Sequence, residues 1–298
     1  MQELTGAEYG FLLLTSHLGD PDRKPLTVAQ FRELAERSKN RSSRDLSRDV
    51  DVSDFVSMGY SVKFAKHVVD LLRDEALLDW YMAQARKAGC VPITRAAECY
   101  PAIVRQRLGL DSPGCLWARG DLSILNTPAV ALVGSRDIAE PNRAFAEEVG
   151  RQAALQGLTL VSGNARGADK TTQNACLEAG GKVISVVADS LLAHKSRENM
   201  LYLSENSFDE EFSAQRAISR NRVIHTLGRM VFVAQCSLGK GGTWDGTTKN
   251  LRLGWSPVAC FRDGSEASVQ LEQMGAYLLD IGDLQDLGSL PEPEIRFL

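Results

Sequence analysis

Hydrophobic and polar positions change their spacing twice along this chain. Over residues 1–90 the apolar positions recur at helical intervals. Thr27 can cap a helix that runs through Phe31, Leu34 and Ala35, with Gln30 at the capping-box position. A polar stretch at 38–48 interrupts the pattern. Further helices are expected at 62–72, behind a Ser61 cap, and at 77–87, ending near Gly89. Residues 91–127 contain Pro92, Pro101 and Pro113, which exclude a long helix and predict a connector with one strand at 115–118. From 128 to 282 short apolar runs alternate with amphipathic stretches. Strands are expected at 129–133, 158–162, 182–188, 229–234, 257–261 and 276–279. The helices between them fall at 142–156, 168–179, 213–227, 247–253 and 265–274, and 189–212 reads as irregular. This alternation predicts an α/β fold, a doubly wound and mainly parallel sheet preceded by a small helical domain. Residues 283–298 form an acidic tail.

Three glycine turns follow predicted strands: Gly134-Ser135-Arg136, Ser162-Gly163-Asn164-Ala165-Arg166-Gly167-Ala168-Asp169, and Lys240-Gly241-Gly242-Thr243. Right-handed crossovers bring strand C-termini to one edge, where backbone N–H groups and helix N-termini favour anions. The phosphate-binding candidates are therefore Gly134, Ser135, Arg136, Ser162, Gly163, Arg166, Gly167, Lys170, Lys240, Gly241, Gly242 and Thr243. Asp169 stands in the first turn of its helix, where it can complement the dipole or bond back to its loop. No turn carries the GxGxxG spacing, and no acid closes the strand at 158–162, so a nicotinamide or flavin cofactor is not expected. GKGGT also lacks the GxxxxGK[ST] spacing of an ATP-hydrolysing loop.

Charge changes the picture locally. The 298-residue chain has a net charge of −4, which argues against indiscriminate coating of nucleic acid. Residues 212–252 nevertheless hold seven basic side chains against one acid, Asp245. Projected as a helix, residues 213–227 place Asn221 in the apolar stripe, so it is expected to fasten this helix to a neighbouring loop. Arg216 and Arg220 fall near one another and Arg222 points away. Trp244 can stack a base or plug the groove. Six cysteines without CxxC spacing and four scattered histidines provide no metal or acid–base constellation. No apolar run reaches membrane-spanning length and no leader pattern opens the chain, so a soluble cytoplasmic protein is expected.

Linked motifs carry a family resemblance over residues 100–279. They are Tyr100-Pro101, Trp117-Ala118-Arg119-Gly120-Asp121-Leu122, Val133-Gly134-Ser135-Arg136, the Ser162–Asp169 turn, Glu178-Ala179-Gly180-Gly181-Lys182-Val183-Ile184 and Arg220-Asn221-Arg222-Val223-Ile224. In this order they resemble the DNA-processing protein DprA (Smf) family, whose Rossmann-like domain is related to LOG proteins. The resemblance implies sequence-independent binding of single-stranded DNA, loading of a RecA-type recombinase in natural transformation or related recombination, homodimers, no cofactor and no catalysis. It adds Lys195, Arg220 and Arg222 to the DNA-contact candidates, with Asn221 and Asp169 as structural supports of the site.

The chain also departs from the family pattern. Ala188-Asp189-Ser190 and Lys195-Ser196-Arg197-Glu198-Asn199 replace two family segments, and Gly241–Thr247 is closer to the LOG-type PGGxGTxxE loop. Lys249 stands where the LOG glutamate is expected. Two alternatives therefore stay open, a sensor of a nucleotide or nucleotide-derived signal and a LOG-like nucleotide phosphoribohydrolase.

Overall fold

The computed structural model describes residues 4–38 and 50–287. The polar break expected at 38–48 and the tail acids Glu292 and Glu294 lie almost wholly outside the described residues. The chain divides into two compact units, Met1–Gly89 with Ile93–Tyr100, and Cys90–Pro92 with Pro101–Leu298.

The first unit contains five helices among its described residues: α1 (Gly6–Thr15), α2 (Val28–Ser38), α3 (Val52–Ser57), α4 (Val62–Arg73) and α5 (Glu75–Lys87). Local chemistry sets their starts. Thr27 and Gln30 bond reciprocally ahead of α2, Ser61 Oγ accepts from Phe64 N, and Thr5 with Glu8 forms a capping box on α1. Leu34, Phe55, Val68 and Val69 meet in its core. Buried Arg23 donates to the carbonyls of Leu13, Ser16 and Leu71 and pairs with Asp74 at 3.1 Å, which ties the turn after α1 to the end of α4. Sequence periodicity did not reveal α1 or α3, which are short and capped rather than strongly amphipathic.

In the second unit a nine-stranded sheet has the order β1-β2-β6-β5-β4-β3-β7-β8-β9. Its strands are β1 (Cys90–Thr94), whose last two residues belong to the first unit, β2 (Cys115–Gly120), β3 (Ala129–Val133), β4 (Thr159–Ser162), β5 (Lys182–Val187), β6 (Met200–Glu205), β7 (Val231–Val233), β8 (Val258–Phe261) and β9 (Tyr277–Leu279). The helices are α6 (Ala102–Leu108), α7 (Glu140–Leu155), α8 (Ala168–Glu178), α9 (Ala214–Leu227), α10 (Gly242–Leu253) and α11 (Glu266–Gln273). From β6 to β9 the pairing is parallel, whereas β2 runs antiparallel to β6. Every residue of β3, β4 and β7 is buried, as helix layers on both faces require. The expected α/β sheet is therefore present, with corrections. The connector holds β1 and α6 as well as β2, and the stretch expected to be irregular contains β6.

Topology places the crevice. After β3 the chain winds outward through β4, β5 and β6, then returns to add β7 on the other side of β3. The loops after β3 and β7 thus diverge in opposite directions at neighbouring strands, and such a switch point opens a cleft at the strand C-termini. Behind the cleft, fully buried His225 on α9 lies 3.1 Å from Asn250 Nδ2 on α10, while Ser256 Oγ donates to the His225 carbonyl at 2.6 Å. Burial pushes the imidazole pKa down to about 3, so the ring is a neutral packing and hydrogen-bonding group.

Candidate nucleic-acid interface

The three glycine turns form one bonded assembly. Ala168 N donates to Ser135 O at 3.0 Å, Ser135 N to Gln235 O at 2.9 Å, and Thr243 Oγ1 to Gly134 O at 3.1 Å. Gly167 has φ +84°, and a Cβ there would lie 2.4 Å from the carbonyl oxygens of both Ser135 and Arg136. Only glycine allows the second turn to close on the first. Asp169 caps its own loop by accepting from Ala165 N at 3.1 Å. It is buried beside Arg220, 3.9 Å away. Burial raises the Asp169 pKa against the pull of Arg220 and the Ala165 N–H, and burial likewise lowers that of Arg220. The Arg220 guanidinium fills the space over Gly163, where a Cβ would lie 1.6 Å from its Nη1. Asn221 donates to Gly242 O at 3.0 Å, fastening α9 to the first residue of α10.

Two adjoining cavities open over this assembly. The larger, about 480 Å³, lies between the first turn, α9 and the start of α10, and the smaller, about 360 Å³, lies over the second turn and Asp189. They share Arg136, Ala165, Phe212, Ala217 and Arg220. Around the pair stand Arg136, Arg166, Arg220 and Lys240, opposed by Asp169 and Asp189. Arg166 is held at 2.5 Å by exposed Asp137, and Lys170 donates to Asn164, whereas Arg136 is exposed with no side-chain partner among the described residues. Gly241 caps α10 without a side-chain bond, and Gly241, Gly242 and Thr243 border the larger cavity, so the start of that helix lies at its edge.

Several expected contacts are elsewhere. Arg222 pairs with buried Glu205 at 3.1 Å and lines neither cavity. Arg216 is engaged by Ala188 O, Ser204 Oγ and Glu210. Three of the seven basic side chains at 212–252, Arg216, Arg220 and Arg222, are therefore engaged inside the fold, whereas Lys240, Lys249 and Arg252 are exposed. Arg220 belongs to the floor of the groove and not to its surface. Ser162 is fully buried, and Lys195, although exposed, lines neither cavity. Trp244 also lines neither cavity, and the aromatic residue at the groove is Phe212, 56% exposed and common to both cavities. It follows an acidic run without periodicity, so the sequence carries no strong local signal for it. Among the described residues no group of three His, Cys, Asp or Glu side chains is placed to hold a metal ion, and no helix is long and apolar enough to cross a membrane.

Fold and site together define a Rossmann-like protein with a cation-lined, aromatic-flanked groove at its topological switch point. Residues 92–287 match the model of the DNA recombination-mediator protein A family, and the chain belongs to that family. It is 32% identical over 154 residues to the DNA processing protein DprA of Streptococcus pneumoniae, covering 48% of this chain and 54% of the relative. Over 232 residues it is 26% identical to the Bacillus subtilis DprA, covering 72% and 76% of the two chains. In three dimensions it is similar to the pneumococcal DNA processing protein A, with a TM-score of 0.69, 24% identity, and coverage of 97% and 99%. The Helicobacter pylori DNA processing protein A, described by its single-stranded DNA binding mode, aligns with a TM-score of 0.55 and 22% identity, covering 66% of this chain and 94% of the other.

Proposed function

We propose that the chain binds single-stranded DNA without sequence preference and hands it to a RecA-type recombinase, acting without catalysis as a cytoplasmic homodimer in natural transformation or related recombination. Arg136 carries the reading. Its guanidinium is exposed and has no hydrogen-bond or ion-pair partner among the described residues, at the meeting of two cavities whose other arginines, Arg166 and Arg220, are already paired with Asp137 and Asp169. A charge placed there without a partner fits a phosphate of a passing strand. Phe212 offers a face on which any base can stack, consistent with binding that does not read sequence. The Helicobacter relative's single-stranded DNA binding mode supports the same substrate.

A LOG-type hydrolase requires an acid near the ribose to stabilise positive charge. Lys249, at the corresponding place, instead lies 5.6 Å from the Trp255 ring centroid and outside the groove lining, which supports binding over hydrolysis. The hand-over is tested by recombinase assembly on a strand already coated with single-strand-binding protein. Assembly should accelerate when this chain is added. An unchanged rate, with strand binding intact, would remove the hand-over and leave only the binding.

A further inference from the structure

The cation track does not stop at Arg136. On its other side a third cavity, about 680 Å³, opens across the first turns of α7 and α8 and is lined by Arg136, Arg143, Arg166 and Lys170, with Asp137 as its one carboxylate. It has no aromatic lining, unlike the groove beside Phe212. Its cations are held lightly. Arg143 reaches Thr171 Oγ1 at 3.3 Å and exposed Glu140 at 3.4 Å, and the Arg166–Asp137 pair is 77% and 86% exposed. Exposed pairs of this kind contribute little to stability, so these side chains can turn to another anion at small cost.

We propose that this cavity is a second, phosphate-only subsite. A strand that fills the groove continues past Arg136 and lays its next phosphates on Arg143, Arg166 and Lys170. The groove holds bases and backbone, whereas this surface holds backbone alone. The proposal rests on the single-strand reading and extends it by fixing where the strand leaves the groove.

Arg143 lines the third cavity and neither of the other two, so it separates the subsites. Binding of oligothymidylates from about 4 to about 20 nucleotides is compared in the full wild-type chain, Arg143→Ala, Arg143→Lys and Asn174→Glu. Asn174 is exposed on the same cavity, and its replacement adds a negative charge while leaving Arg143 in place. Short strands should bind all four proteins alike. For long strands Arg143→Ala and Asn174→Glu should each weaken binding at least about threefold, with the log–log salt slope shallower by about 0.7 for the alanine variant and restored by lysine. Equal affinity of wild type and both weakened variants at every length overturns the subsite. Loss of short-strand binding in the alanine and glutamate variants alike also overturns it, because the cavity then acts through the groove. Failure of the wild type to bind any strand defeats the single-strand reading itself, a result distinguishable from either.

Discussion

Arg136→Ala should lower the affinity for a long oligothymidylate by about tenfold to a hundredfold, the range expected for one charge-assisted contact to a phosphate. The side chain is exposed and has no partner among the described residues, so its removal should leave the folding midpoint where it was. The dependence on salt should become shallower by about 0.7 in the log–log slope, since one phosphate fewer is neutralised and its counterion is retained. Lysine at this position should recover much of the charge but not the paired geometry of a guanidinium. Wild-type affinity and slope in the alanine variant would take Arg136 out of the footprint.

Asp169→Ala acts on stability rather than on contact. It removes the acceptor for Ala165 N and leaves the buried Arg220 guanidinium beside Gly163 without its carboxylate. Breaking a buried ion pair from one side costs about 3–5 kcal/mol, because the remaining charge keeps its desolvation penalty. Urea denaturation should show this as a lower midpoint with an unchanged m-value. Asp169→Asn retains an acceptor for the loop and should lose less. A cost below about 1 kcal/mol for the alanine variant would mean that Arg220 finds another partner, and that the second turn does not depend on this pair.

The parts of this architecture that were legible in the sequence are those in which local chemistry and tertiary demand agree. Residues 129–133 and 158–162 are apolar because helices cover both sheet faces, and they are strands where the pattern places them. Thr27 with Gln30, and Ser61, mark helix starts because the cap bonds lie within one turn. What escaped depends on partners distant in the chain. β6 is held between β5 and an antiparallel strand that begins at Cys115, and no local pattern announces that pairing. The first turn of α10 is rich in Gly, Thr and Asp, which reads as a loop. It is helical in the fold, where Asn221 holds Gly242 O and Thr243 is bonded to Gly134 O. Arg222 enters the contact candidates through the family resemblance alone, whereas in the fold it pairs with Glu205, on the strand that the pattern does not announce. Counting cations along a chain overstates the charge of a surface whenever the fold supplies their carboxylates from elsewhere.

The most direct measurement of the central claim is the affinity of the wild-type chain for oligothymidylates of increasing length, with thymidine monophosphate and abasic strands as competitors. A groove that holds backbone on Arg136 and bases on Phe212 predicts a steep early rise with length and then a plateau. The mononucleotide should compete poorly, because it occupies only one of the adjoining cavities, and abasic strands should bind more weakly than thymidylates of equal length. Affinity independent of length, or a mononucleotide that binds more tightly than a long strand, would contradict the account and identify the larger cavity as a small-molecule site.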